Sequence, residues 1–361
     1  MHCIAGGTGT EEPKTAMAQG TGQRTARIQD VARAAGVSTA TVSRALSKPD
    51  LLSETTREAV FEAIRLTGYR VNQSARNLRR QRAGAVLVLV PNLGNPFFSQ
   101  ILSGLSEVFA ASEYSVLIQD TNHLARQDGL LDFFLDQRID GMISLDGSLS
   151  VGTLDLMARN AVSDRILCAC EWVAGVDLPS VRSDNHKGAT LAMRHLYDLG
   201  HRRIAHVTGP VQNVLTQVRR DAVLAARAEL DLPARPEWIV RGDFSLASGR
   251  AAAERLLAMS ANDRPSAVFC ASDETALGLI AGLHAAGVQV PDDMSVVGFD
   301  DIDLAEYAIP ALTTIRQDRQ TLGRRAAERL LNRLDGGPLR AADTVDLVDV
   351  SLVVRDSTRA I

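Results

Sequence analysis

Three short amphipathic stretches precede a long alternation of apolar runs and helical spacings. Ile28, Val31, Ala32 and Ala35 fall at i, i+3, i+4 and i+7, one apolar stripe on a short helix. Gly36 supplies the positive φ of a tight turn, and Ser38 or Thr39 suits the cap of a second helix. On that helix Thr39, Ala40, Ser43 and Arg44 share one arc, while Val42, Ala45 and Leu46 share the opposite one. A third helix is expected with Val60, Phe61 and Ile64 turned inward and Gly68 as its stop. Beyond a basic segment, β-rich runs at 85–90, 115–119, 141–145, 166–170, 204–208, 238–241, 267–270 and 295–298 alternate with helically spaced stretches. That alternation predicts βαβ units, with parallel sheets covered by helices. Eight strands in two groups of four predict two similar α/β lobes. Residues 1–24, rich in Gly, Thr, Ala and Gln, are expected to be a disordered leader, with Met17 as an alternative start.

Charge adds a second division. From Arg24 to Arg82, 12 basic side chains stand against 5 acidic ones; with a net charge of −4 overall, the remainder carries −11. A basic module on an acidic body suggests that one end meets a polyanion and the other does not. The alternative is a solvated charged surface, which charge alone leaves open. Hydrophobic residues at 45% and charged residues at 23% exclude wholesale disorder. No apolar run approaches the roughly 18 residues of a membrane span, and the N-terminus lacks a signal-peptide pattern. The four cysteines include no C-x-x-C pair. A reduced, cytoplasmic protein with no membrane partner is the expectation.

The first helical pair is specific enough to carry a resemblance. The run IQDVARAAGVSTATVSRALS from Ile28 to Ser47, with Thr56-Arg57, Gly68-Tyr69, Asn72 and Ala75-Arg76-Asn77-Leu78 behind it, resembles the DNA-binding head of the LacI family of repressors. The resemblance implies a helix-turn-helix domain at 25–70, with Thr39, Ala40, Thr41, Ser43 and Arg44 at double-stranded operator DNA. Arg suits guanine, and Thr and Ala suit a thymine methyl or a phosphate. It implies a hinge helix at 71–83 that meets DNA through Asn72, Ala75 and Arg76, with Leu78 wedged into the minor groove. Val71 stands where the family usually has Pro.

Residues 84–361 carry no signature of catalysis. There is no metal-binding H-E-x-x-H, no G-x-S-x-G elbow and no phosphate-binding Gly-rich loop. Asp300 and Asp301 are adjacent, and neighbours seldom point into one site. Neither an enzyme nor a cofactor or metal site is expected.

Instead Asn95-Pro96-Phe97-Phe98, Asp184-Asn185, Gly200-His201-Arg202-Arg203-Ile204, Asp273-Glu274-Thr275 and Gly298-Phe299-Asp300-Asp301 resemble the periplasmic-binding-protein-like body of the same family. The implied lobes are about 84–183 with 315–340, and 184–312 with 341–361. The implied effector pocket contains Asn95, Phe97, Phe98, Glu171, Arg219, Phe244, Ser272, Asp300 and Gln317. Aromatic rings with carboxylates, amides and Arg suit a sugar or related metabolite. The chain departs from the family at Glu171 for Asp, at Ala222-Val223 for Gly-aromatic, and at Ser272 for Asn. A homodimeric repressor that reads a palindromic operator and senses a small molecule is the leading expectation. The alternatives are control by a partner protein, or a periplasmic-type solute-binding protein.

Overall fold

The computed structural model describes residues 26–70, 77, 82–124, 126–337 and 344–361. The chain divides at Arg76 and Asn77 into two compact units.

The first unit packs α1 (Ile28–Ala35), α2 (Thr39–Ser47) and α3 (Glu54–Thr67) around Val31, Ala32, Val42, Ala45, Val60 and Ala63. Gly36 takes φ +65°, which ends α1. Ser38 Oγ accepts the Thr41 amide at 3.1 Å and starts α2. Phe61 departs from expectation: it is 44% exposed, and Ala63 takes the inward place. Val60, Ala63 and Ile64 fix the buried stripe, and Phe61 lies about 100° round from Val60.

The second unit contains two six-stranded sheets. In the first, the order is β11-β5-β4-β3-β1-β2. Its members are β1 (Ala85–Val90), β2 (Ser115–Asp120), β3 (Gly141–Ser144), β4 (Ile166–Ala169), β5 (Ser180–Ser183) and β11 (Val345–Val348). In the second the order is β12-β10-β9-β8-β6-β7. Its members are β6 (Ile204–Val207), β7 (Ile239–Val240), β8 (Ala267–Cys270), β9 (Ser295–Asp300), β10 (Thr313–Gln317) and β12 (Val350–Val353). All pairings are parallel except β10 with β12. Helices cover both sheets: α4 (Phe97–Ala110), α5 (Leu130–Leu135), α6 (Val151–Arg159), α7 (Asn185–Asp198), α8 (Val214–Glu229), α9 (Leu246–Leu257), α10 (Asp273–Ala285), α11 (Asp303–Tyr307) and α12 (Arg319–Leu334). The α/β class read from the alternation is the observed one.

Each lobe brings one helix pair into backbone contact through glycines. A Cβ on Gly104 of α4 would stand 2.1 Å from the Gln320 carbonyl of α12, and one on Gly249 of α9 would stand 2.0 Å from the Thr275 carbonyl of α10. Side chains of any size there would force the helices apart.

Among the described residues, twelve strands replace the eight expected. The additions are β5, β10, β11 and β12, whose sequences SVRS, TTIRQ, VDLV and VSLV mix polar residues into short runs. They adjoin the crossings between lobes, and they move two of the expected boundaries. The first crossing falls at Asp184, between β5 of the first sheet and α7. The second falls at Asp318, after β10 has paired with β9, so 315–317 sits in the second lobe's sheet. The third falls at Asp349 rather than near 340, because β11 pairs with β5 in the first sheet. The expected leader at 1–24, and Asn72, Ala75, Arg76 and Leu78 of the expected hinge, lie outside the described residues.

Candidate nucleic-acid interface and effector cleft

Helix α2 buries Val42 and Ala45 and leaves Thr39, Ala40, Ser43 and Arg44 exposed. Thr41 is half-buried, and its hydroxyl pairs with Ser38 Oγ at 2.9 Å. The outer arc therefore presents one guanidinium, two hydroxyls and a methyl on a short rigid helix. Such a set has the chemistry that base edges in a major groove take, a guanidinium being able to donate twice to guanine.

Between the lobes of the second unit lies a cavity of about 370 Å³. It opens where strands give way to loops, the end of an open α/β sheet where ligands bind. The first lobe contributes Asn92, Asn95, Phe97, Phe98, Asn122, Asp146, Ser148 and Glu171, and the second Gln212, Asn213, Leu215, Arg219, Asp243, Phe244, Ser272 and Asp300. Eight of the nine expected effector residues line it. Gln317 does not; it stands behind the wall, and its Nε2 donates to Asp300 Oδ1 at 2.7 Å. It holds Asp300 in place.

Arg219 is the hub of the second lobe's share. It is 2% exposed, donates from Nε to Asn185 Oδ1 at 2.9 Å, and donates from Nη1 to the Ala271 carbonyl. Its guanidinium lies 3.7 Å above the Phe299 ring centroid, and Nη2 approaches Asp300 Oδ1 at 3.9 Å. Asp221, two residues on, pairs with Arg220 at 2.8 Å. Burial raises the Asp300 carboxyl to about 6, with Arg219 acting against the rise. Burial and the nearby Asp300 push Asp273 well above the usual carboxylate range, where it takes hydrogens from Thr314 Oγ1 and the Ile302 amide.

Several residues at the cleft hold backbone conformations that side chains disfavour. Phe244 has φ +69°, Asp300 +119° and Asp301 +52°. Such outliers cost of order 1–3 kcal/mol each and gather at functional sites. The Phe244 ring lies on Gly209, where a Cβ would come within 2.1 Å of the ring. Phe97 and Phe98 meet edge to face at 5.1 Å on the opposite wall.

Sequence reasoning missed Asp146 and Asn213. Asn213 caps α8 through the Leu215 amide at 2.8 Å, a pattern visible in the sequence. Its second role was not visible: Nδ2 donates across the cleft to Glu171 Oε1 at 2.8 Å. The carboxylate that replaces the family's Asp thus reaches the opposite lobe. Burial raises the Glu171 carboxyl, with the Gly147 amide and Asn213 opposing. Ala222 and Val223, two departures from the family, are buried in the second lobe's core and do not line the cavity. His201 and His206 do not line it either.

A helix-turn-helix head with an exposed reading face, joined to a two-lobed body around a ligand-sized cleft, defines a ligand-responsive DNA-binding regulator. Residues 27–72 match the family model for bacterial regulatory proteins of the lacI family, and residues 193–358 match that for a periplasmic binding protein-like domain. The HTH-type transcriptional repressor CytR of Escherichia coli is 38% identical over 93% of this chain and 97% of its own. The HTH-type transcriptional repressor PurR of Photobacterium profundum is 35% identical over 86% of this chain and 92% of its own. Among solved structures, a lac repressor dimer bound to operator and the anti-inducer ONPF superposes with a TM-score of 0.79 and 28% identity, over 93% of this chain and 100% of that one. The chain belongs to the lacI family of bacterial transcriptional regulators; it is a DNA-binding repressor-type protein and not an enzyme.

Among the described residues, no helix is long and apolar enough to cross a membrane, and no group of His, Cys, Asp or Glu could hold a metal ion.

Proposed function

We propose that the chain acts in the cytoplasm as a homodimer that binds a two-fold operator, and that a small metabolite of sugar-like chemistry binding between the lobes alters its affinity for DNA. The observation that carries this reading is the cavity itself. Its volume of about 370 Å³ falls in the range of small-molecule sites. Its walls combine phenyl faces with carboxylates, amides and one guanidinium, the mix that suits a hydroxylated ring. A cleft packed shut would have favoured control by a partner protein, and this cleft has room for a ligand. The head at 26–70 argues against a solute-binding protein. The hinge role of Asn72, Ala75, Arg76 and Leu78 is part of the proposal and rests on the resemblance.

Dimerisation has separate support. On the second lobe Leu304 is 58% exposed, Tyr307 79% and Ile309 94%, three large apolar side chains on one short segment. A cluster of this kind fits a self-association surface, and the lac repressor structure named above is a dimer. Replacing Tyr307 with Asp is expected to weaken dimerisation by about 2 kcal/mol or more. Sedimentation velocity should then show dimer for the parent and monomer for the variant, and operator binding should weaken with it. A monomeric parent, or a variant that stays dimeric at the same concentration, would count against this surface.

A further inference from the structure

The geometry points to an uncharged, unphosphorylated ligand that gives hydrogens to the cleft, a neutral polyol such as a free sugar, with phosphorylated and carboxylated molecules turned away. This deepens the effector reading above and rests on it.

The charges are the first reason. Asp146, Glu171, Asp243 and Asp300 line the cavity, against Arg219 as the one lysine or arginine among the described residues there. Arg219 is already engaged by Asn185 and the Ala271 carbonyl, and its remaining nitrogen faces Asp300 at 3.9 Å. An anionic ligand would have to take that nitrogen from Asp300 while lying among four carboxylates. Like charges a few ångströms apart in a half-desolvated cleft repel strongly.

Helix ends supply the second reason. Helices α4, α8 and α10 all begin at the cavity, and free amides at such ends are ready-made anion sites. Here each start is capped from within. The Phe97 amide donates to Asn95 Oδ1 at 2.8 Å, the Leu215 amide to Asn213 Oδ1 at 2.8 Å, and the Thr275 amide to Ser272 Oγ at 3.2 Å. At each start, then, the amide named is already spent on the chain's own cap residue. Acceptors remain: Asp300 Oδ1 takes Gln317, and Oδ2 has no protein donor among the described residues. A pair of ligand hydroxyls fits that carboxylate, and Phe97, Phe98 and Phe244 supply the apolar faces a ring needs.

The test uses the full-length protein in a phosphate-free buffer with about 0.15 M sodium chloride, which screens loose anion binding to the exposed basic head. Thermal melting and calorimetry are run with matched pairs: ribose and ribose 5-phosphate, fructose and fructose 1-phosphate, glucose and glucose 6-phosphate, glucitol and gluconate. In parallel, the small-molecule fraction of a bacterial extract is split by anion exchange into neutral and anionic pools.

The expected result is stabilisation by a neutral member or the neutral pool, with the anionic counterpart binding at least about a hundredfold more weakly. Asp243→Asn should narrow that gap several-fold at a small cost in melting temperature, because hydrogen bonds from Ser245 favour the ionised carboxyl. Asp243 is exposed, and Asn keeps the side-chain oxygen that accepts the Ser245 amide at 3.0 Å. Stabilisation by the anionic members or pool, with the neutral ones inert, would overturn this inference and leave the effector reading standing. Stabilisation by nothing in either pool would overturn the effector reading, and this inference with it.

Discussion

Replacing Arg219 with Ala is expected to lower the unfolding free energy of the body by about 3–5 kcal/mol and to abolish its response to effector. Arg219 is buried, and its removal leaves Asn185 Oδ1, the Ala271 carbonyl and Asp300 short of a partner at once. Orphaned buried polar groups bear the full cost of desolvation. The guanidinium also covers the Phe299 ring at 3.7 Å, so packing is lost along with charge. Asp300 would rise further from its value of about 6, since Arg219 is the largest of the groups that oppose the rise, ahead of Gln317 and Arg319. Arg219→Lys keeps a charge but not the planar fork that serves Asn185 and Ala271 together, so an intermediate loss is expected. Urea denaturation of both variants, with the m-value checked against the parent, measures this. A loss below about 1 kcal/mol in Arg219→Ala would mean that the hub is dispensable.

The second large effect belongs to the head. Arg44→Ala should weaken binding to the cognate site by about 1–3 kcal/mol and relax specificity at one base pair of each half-site. Stability should change by no more than about 0.5 kcal/mol, because Arg44 is exposed on α2 while Val42 and Ala45 hold that helix from behind. Binding to unrelated DNA should fall much less, since that term is carried by phosphate contacts. Anisotropy titrations against cognate and scrambled duplexes separate the two. An equal loss on both would make Arg44 a phosphate contact rather than a base reader.

What could be read in advance followed from how local the signal was. Helices α1 and α2 were legible because caps and apolar stripes lie within a few residues of each other. Phe61 was misplaced because apolar character alone does not say where a residue sits on the arc. The eight expected strands were apolar runs; SVRS and TTIRQ, read without their neighbours, look like loops. These become strands by pairing with segments far away in sequence, as β5 does with β11.

The cleft shows the same division. Phe97, Glu171, Phe244 and Asp300 stand in strand-end phrases that the family resemblance marks, and they do line the cavity. Gln317 carries the same mark but faces Asp300 from behind. Asn213 is a helix cap in the sequence and a bridge to Glu171 only once two lobes oppose each other. That second role depends on a distance between loops some forty residues apart, which no local pattern contains.

On the function proposed, ligand in the cleft and DNA at the head are coupled. The most direct measurement is the affinity of the full-length protein for a two-fold DNA site selected from a random library, with and without a ligand that stabilises the body, across a range of salt. Affinity should fall steeply with salt. Adding ligand should shift operator affinity roughly 5- to 150-fold, with the same factor in ligand affinity when operator is bound. A ligand that occupies the cleft and leaves operator affinity unchanged would contradict that coupling.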